Sequence, residues 1–134
     1  SAIVHTAGNE DCHIILRGGK QPNYDMFSVE DSQKMLEKAG LPARIMIDAS
    51  HSNSRKIPAR QLDVVTDIAA QVARGNRSII GLMIESNLVE GRQDVVEGKP
   101  LTYGQSITDP CVKWDDTLPV LQALAEAVRQ RRAG

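Results

Sequence analysis

The stretch Arg44–Ser54 reads RIMIDASHSNS, and it decides the fold because a short apolar segment passes directly into a polar loop. Arg44–Asp48 is predicted to be a buried strand, since its apolar residues follow one another without polar alternation. After the loop, Pro58 favours a helix start, and apolar side chains recur at helical spacing until Gly75. The segment is therefore predicted to be one βα unit, a strand and a helix joined by a polar loop.

The same unit is found on both sides of this segment. Upstream, Cys12–Leu16 is predicted to be a strand, and a helix capped by Ser28 is predicted to follow it and to end near Ala39. Downstream, Ser78–Ile84 is predicted to be a third apolar strand. Apolar strands that alternate with helices are typical of a parallel sheet covered by helices, so the predicted fold class is α/β.

Three further segments complete this description of the chain. Leu88–Pro110 is rich in glycine and polar residues and is predicted to be a long functional loop. Leu118–Val128 has the apolar spacing of a C-terminal amphipathic helix. Ser1–Thr6 has the composition of a strand, which is unusual at a natural N-terminus and leads us to expect a fragment of a longer protein.

Length and composition exclude several classes of protein. With 134 residues, the chain has room for one domain and cannot close a full-size α/β barrel. Its 16 basic and 17 acidic residues nearly balance, and only 3% of its residues are aromatic, so no nucleic-acid partner is expected. No apolar run is long enough to span a bilayer, so no membrane partner is expected. The two cysteines form no CxxC pair, which favours a reducing, cytoplasmic location.

Residues that could do chemistry follow the predicted strands. Arg17, His51 and Glu85 occur at equal intervals, each just beyond a strand, and Asp109 lies on the loop after the third strand. The ends of parallel strands meet on one face of a sheet, so these side chains are expected to converge. One imidazole and two carboxylates are ligands that suit Mn²⁺, Fe²⁺ or Zn²⁺. Spacing alone leaves open the alternative that His51 is a hydrogen-bonded loop residue.

Two of the polar side chains near the strand ends have alternative roles. The Arg17 guanidinium could bind a phosphate or a carboxylate, or it could form a structural ion pair. Asp48 could orient the His51 imidazole or accept a hydroxyl group of a substrate. We expect the other histidines and both cysteines to be structural, the cysteines as buried apolar thiols. These residues are His5, His13, Cys12 and Cys111.

Four long motifs carry a resemblance that extends over nearly the whole chain. They are GNEDCHIILRGGKQPNYD (Gly8–Asp25), LPARIMIDASHSNSRK (Leu41–Lys56), GNRSIIGLMIESNLVEG (Gly75–Gly91) and PLTYGQSITDPCVKWDDT (Pro100–Thr117). In these motifs and in their order, the chain closely resembles the type I 3-deoxy-D-arabino-heptulosonate-7-phosphate (DAHP) synthases. Four long motifs in unbroken order are far more specific than any short pattern.

The resemblance implies a fold and a reaction. The chain would be part of a metal-dependent enzyme with the (β/α)8 TIM-barrel fold. Residues 1–134 would be a single partial-barrel segment with the three C-terminal βα units, barrel strands six to eight. The reaction would be the condensation of phosphoenolpyruvate with erythrose 4-phosphate, which gives DAHP and phosphate. This is the first step of the shikimate pathway to the aromatic amino acids.

The resemblance also implies roles for five residues. His51, Glu85 and Asp109 would be ligands of a divalent metal ion, Mn²⁺ or a similar one. Arg17 would bind the phosphate of phosphoenolpyruvate, and Arg17 and His51 would belong to the catalytic set. Asp48 would support His51 or contact the sugar phosphate, and Asp109 would lie beside the substrate.

Other parts of the family's site fall outside this sequence. A cysteine on the first barrel strand, which is the fourth metal ligand, and a catalytic lysine both lie upstream of Ser1. We therefore expect the chain alone to be inactive. The alternative is a non-catalytic α/β fragment with residual binding of metal or phosphate. A partial barrel leaves two open sheet edges, and we expect these edges to drive self-association into a homo-oligomer.

Overall fold

A small parallel sheet and three helices organise the computed structural model, which describes all residues from Ser1 to Gly134. In chain order, the elements are β1 (Ile14–Leu16), α1 (Met26–Lys38), β2 (Ile45–Asp48), α2 (Arg60–Ala73), β3 (Ile79–Met83), β4 (Ser86–Asn87), β5 (Val89–Arg92), β6 (Gln105–Ser106), β7 (Val112–Lys113) and α3 (Trp114–Ala133). β1, β2 and β3 form one parallel sheet in that order. The prediction of three βα units around a parallel sheet is confirmed.

The central strand β2 fixes the register of the sheet. Ile47 lies opposite Leu16 of β1 on one side and opposite Leu82 of β3 on the other. The last pair between β2 and β3 is Asp48 with Met83, so the polar residues that follow both strands leave the sheet at the same end, the carboxyl end.

The hydrophobic core lies between this sheet and the helices. Ile45 and Ile47 of β2 are completely buried, and Val65 and Ile68 of α2 pack in the same cluster. Burying a branched aliphatic side chain contributes about 1.5–3 kcal/mol, so this cluster supplies much of the stability of the fold. Ala127 connects α3 to the core, and α2 and α3 pack against each other.

The first helix begins at a different residue from the one predicted. Asp25, not Ser28, is the N-cap, and its carboxylate accepts hydrogen bonds from the backbone N–H groups of Phe27 and Ser28. The Ser28 hydroxyl donates to the other oxygen of the same carboxylate at 2.6 Å. Both residue types cap helices well, and the charged acceptor occupies the cap here.

Three other segments differ from the predictions in part. Leu88–Pro110 contains two short strands, β5 and β6, which pair in parallel, so this loop is more regular than expected. The last helix starts at Trp114 rather than Leu118, with two aspartates in its first turn, where negative charge stabilises a helix. Ser1–Thr6 is exposed and not a strand, because no other segment of the chain offers it a backbone partner. No helix is both long and apolar enough to serve as a membrane span.

Candidate metal centre and anion site

A polar cavity of about 310 Å³ lies beyond the carboxyl ends of the three parallel strands. Each strand ends just before a residue of interest, so Arg17, His51 and Glu85 reach the cavity from three neighbouring loops. Asp109 and Pro110 close it from the segment that precedes β7. The remaining lining residues are Ser52, Ser54, Lys56, Pro58 and Gln61.

Three side chains in this cavity form a group that can hold a metal ion. The ligand atoms of His51, Glu85 and Asp109 all lie within 4.8 Å of one another, and His51 Nε2 lies 3.8 Å from Glu85 Oε1. Two ligands with metal bonds of about 2.1–2.2 Å can be no more than about 4.4 Å apart on one ion, and the His51–Glu85 distance fits this limit. One imidazole nitrogen and two carboxylates suit a divalent ion such as Mn²⁺.

The Asp48 carboxylate fixes the orientation of the His51 ring. His51 Nδ1 lies 2.7 Å from Asp48 Oδ2, and it also lies 2.7 Å from the Ser50 hydroxyl. That hydroxyl and the Ser50 backbone N–H both donate to Asp48 Oδ1 at 2.8 Å. A carboxylate only accepts, so the proton of the neutral ring belongs on Nδ1, and the lone pair of Nε2 is left facing Glu85 and Asp109.

The backbone at His51 is in a strained conformation. Its φ angle is 47°, in the left-handed region that residues with a Cβ rarely adopt. Arg55 and Lys56, on the same loop, also have positive φ angles of 52° and 58°. The surrounding hydrogen bonds hold this turn, since Lys56 N–H donates to His51 O at 2.8 Å. Strain of this kind tends to occur at functional sites.

Backbone hydrogen bonds place Asp109 beside Glu85. Val112 N–H donates to Glu85 O at 3.0 Å, and Gly91 and Cys111 exchange backbone hydrogen bonds in an isolated antiparallel bridge. Asp109 itself is exposed, two residues before this bridge. Burial, with the nearby carboxylates of Glu85 and Asp109, raises the pKa of the Cys111 thiol. Cys111 is buried, as predicted.

Arg17 has no charged partner of its own. It is exposed at the end of β1, it lines the cavity, and no carboxylate lies within 4.0 Å of its guanidinium. The next residue, Gly18, has a φ angle of 76°, and a Cβ there would lie 2.6 Å from Ser52 Cβ. The close approach of these two loops thus requires glycine, and it brings Arg17 next to the His51 loop.

The structure separates the predicted residues into two groups. His51, Glu85, Asp109 and Arg17 line one cavity, whereas Asp48 lies outside it and is only 3% exposed. The remaining histidines are exposed and lie away from the cavity, and Cys12 is exposed, so the prediction of a buried thiol at that position is wrong. Cys12 precedes β1 and has no apolar cluster around it, because the strand begins two residues later.

Sequence reasoning missed two buried amides that support the site. Asn53 donates to the backbone oxygens of Leu16 and Asp48, and its own oxygen accepts from Asn23 N–H, so it joins the ends of β1 and β2. Gln61 contacts Glu85 through both ends of its amide. The signal for Gln61 is in the sequence, because it lies on the apolar face of α2 with Val65 and Ile68.

Comparisons with known proteins show which sequences this chain is similar to. The sequence pattern of the DAHP synthetase I family matches residues 1–122. The chain is 56% identical over 132 residues to the Phe-sensitive phospho-2-dehydro-3-deoxyheptonate aldolase of Escherichia coli strain K12. It is 55% identical over 137 residues to the tyrosine-inhibited phospho-2-dehydro-3-deoxyheptonate aldolase of Schizosaccharomyces pombe. These alignments cover 98% of this chain but only 38% and 37% of the two relatives.

A solved structure gives the same result for the fold. The phospho-2-dehydro-3-deoxyheptonate aldolase of Francisella tularensis SCHU S4 superposes with a TM-score of 0.89 at 48% sequence identity. The match covers 97% of this chain and 38% of that one, so the α/β fold corresponds to part of a larger structure. Because the family pattern covers residues 1–122 of 134, the chain belongs to the DAHP synthetase I family.

Proposed function

We propose that this chain is the part of a DAHP synthase that holds the metal ion and binds the phosphate of phosphoenolpyruvate. The complete enzyme would condense phosphoenolpyruvate with erythrose 4-phosphate and release DAHP and phosphate. The observation that carries the proposal is the convergence of His51, Glu85 and Asp109 beside the unpaired guanidinium of Arg17. The chain spans about 38% of the length of the relatives it matches, so the activity itself belongs to the longer protein.

We further propose that β1, β2 and β3 are barrel strands six, seven and eight. Two observations support this assignment. The three strands are parallel and adjacent in chain order, as neighbouring strands of a (β/α)8 barrel are. The candidate site lies at their carboxyl ends, where active sites of such barrels are found.

In the proposed site, each residue has a distinct task. His51 would bind a divalent ion through Nε2, and Glu85 and Asp109 would bind it through carboxylate oxygens. When bound, such an ion polarises a substrate oxygen. Asp48 would hold the proton on His51 Nδ1 rather than touch the substrate, because both of its oxygens are already engaged inside the fold.

The proposed task of Arg17 is to position a phosphate. A guanidinium donates two parallel hydrogen bonds to a phosphate, and Arg17 faces the cavity without a competing carboxylate. Lys56 lines the same cavity and adds a second cation.

Asp109 is the third candidate contact for the substrate. Its carboxylate is exposed to solvent at the cavity and is therefore also available to a substrate that enters there.

Calorimetry with Mn²⁺ tests the metal centre. His51→Ala removes the imidazole ligand and should abolish the binding that the wild-type chain shows. The matched control is His13→Ala, because His13 is exposed and does not line the cavity. Unchanged Mn²⁺ binding by His51→Ala would remove His51 from the ligand set.

Binding of phosphoenolpyruvate in the presence of Mn²⁺ tests the anion site. Arg17→Ala should raise the Kd at least about tenfold, since a charge-assisted hydrogen bond contributes about 1.5–3 kcal/mol. Arg77→Ala is the control, because Arg77 is also exposed but precedes β3 at the opposite end of the sheet. Equal affinities for the two variants would contradict the role of Arg17.

A second candidate function is a non-catalytic α/β module that pairs with itself. The open edges at β1 and β3 favour it, together with the exposed side chains of Ile15 and Ile80 on those strands. The two candidates differ in a measurable way, because only the first requires a phosphate to bind beside the metal ligands.

A further inference from the structure

The side chain of Gln61 replaces a strand neighbour for Glu85. Pairing between β2 and β3 ends at Asp48 and Met83, two residues before Glu85. Beyond that point, Gln61 Oε1 accepts from Glu85 N–H at 2.8 Å, and Gln61 Nε2 donates to Glu85 O at 3.2 Å. One side-chain amide therefore binds both backbone groups of a candidate metal ligand, in the way a neighbouring strand would.

The same contact connects Glu85 to the segment that carries Asp109. Glu85 O accepts from Gln61 Nε2 and also from Val112 N–H at 3.0 Å. Both bonds end on one carbonyl oxygen, so a shift of Glu85 would also disturb the strand that follows Asp109. Gln61 thus affects the positions of two of the three candidate ligands.

The contact is buried. Gln61 is 1% exposed in the first turn of α2, and the apolar face of that helix packs in the core. A buried amide that loses its partners leaves polar groups unsatisfied, so the position of Gln61 and that of Glu85 depend on each other. The helix itself therefore determines where the Glu85 backbone lies.

We propose that Gln61 is a positioning residue, which fixes the backbone of Glu85 and Asp109 so that their carboxylates meet His51 around one metal ion. This inference rests on the proposed metal centre. Gln61 lines the cavity, yet its amide is committed to the backbone and needs no contact with a substrate.

The test compares Gln61→Met with Gln71→Met in the full 134-residue chain. Methionine keeps the length and volume of glutamine but makes no amide hydrogen bonds. Gln71 is a matched control because it lies on the same helix, is 5% exposed, and donates to Tyr24 O instead of the site. The measurements are the Kd for Mn²⁺ and the hydrogen-exchange rate of the Glu85 backbone amide.

We expect Gln61→Met to raise the Mn²⁺ Kd about 10–100-fold, the usual effect of removing a group that orients a metal ligand. Exchange at the Glu85 amide should become faster in that variant only, and Gln71→Met should leave both values unchanged. Gln61→Asn, which keeps the amide but is one methylene too short, should weaken Mn²⁺ binding in the same way and serves if Gln61→Met does not fold.

Three results would contradict the inference, and they separate the role of Gln61 from the metal centre itself. If the wild-type chain binds Mn²⁺ and Gln61→Met binds it with the same affinity, the role of Gln61 is overturned. The same holds if Gln61→Met and Gln71→Met lose affinity equally. In both cases the metal centre itself is not contradicted. A wild-type chain that binds no Mn²⁺ would contradict the proposed metal centre as well.

Discussion

At the scale of single residues, the hydrogen bond between Asp48 and His51 controls which ring nitrogen is available to a metal ion. Asp48 Oδ2 lies 2.7 Å from Nδ1 of the ring and leaves Nε2 free. An asparagine in place of Asp48 can present its NH₂ group to Nδ1 and move the ring proton to Nε2. The nitrogen that faces Glu85 would then carry a proton and could not bind a metal.

Asp48→Asn is therefore expected to raise the Kd for Mn²⁺ about 10–100-fold while the protein stays folded. Calorimetry measures the affinity, and circular dichroism follows the fold. Asp63→Asn is the control, since Asp63 is exposed on α2, outside the cavity. An Asp48→Asn variant with wild-type affinity would show that Asp48 does not set the ring proton.

Spacing along the sequence was enough to predict which polar side chains converge. Arg17, His51 and Glu85 each follow a short apolar strand, and parallel strands bring their ends together. It could not predict the amides of Asn53 and Gln61, because an amide inside a helix or a loop has no fixed partner until the fold is known. Apart from Asp48 O, which lies 5 residues before Asn53, their partners are backbone groups 24 to 37 residues away in the sequence.

At the scale of secondary-structure elements, the cap of α1 links folding to pH. The hydrogen bond from the Ser28 hydroxyl, followed by those from the backbone, holds the pKa of Asp25 below its ordinary value. A lowered pKa in the folded state means that the charged cap stabilises the protein above the ordinary pKa. That contribution is lost as the pH falls through the lowered value.

We expect Asp25→Ala to lower the free energy of unfolding by about 1 kcal/mol at neutral pH. The difference from wild type should shrink as the pH falls below about 4, where Asp25 of the unfolded chain becomes protonated, until the pH passes the lowered pKa of the folded protein. Urea unfolding at several pH values measures both effects. Asp31→Ala is the control, because it removes the same charge from a position inside the helix and away from the cap. An equal and pH-independent change in the free energy of unfolding of both variants would argue against the cap.

The elements also show where sequence patterns are informative. The β-branched strands and the apolar face of α2 were predicted to within a few residues, since burial imposes a period that can be counted. The start of α1 was predicted three residues late, because Asp25 and Ser28 are both good caps and form a hydrogen bond with each other. The pairing of β5 with β6 could not be predicted from two short polar segments.

At the scale of the whole molecule, the sheet has two free edges. β2 is paired on both sides, whereas β1 and β3 each have one neighbour. The exposed side chains on these strands include Ile15, Ile80 and Met83, with exposed fractions of 45%, 51% and 37%. Unpaired backbone groups beside apolar side chains promote association with another strand.

We therefore expect the chain by itself to form homo-oligomers. We also expect it to show no synthase turnover, because it spans only about 38% of the length of the relatives it matches. A native mass spectrum and size-exclusion chromatography over a range of concentrations measure the assembly, and consumption of phosphoenolpyruvate with erythrose 4-phosphate and Mn²⁺ measures the activity. A well-folded monomer at every concentration would contradict the first expectation. Turnover by the purified chain alone would contradict the second.

The left-handed backbone of the His51 loop has a consequence for the evolution of this protein. Glycine or asparagine would adopt the φ angles of His51, Arg55 and Lys56 with less strain. The strain at each of these three residues costs about 1–3 kcal/mol. Selection for heat resistance alone would thus favour replacements at these positions. Replacing His51 and Lys56 would remove an imidazole and an ammonium group from the cavity wall. Directed evolution for thermostability must therefore monitor metal binding to keep the site.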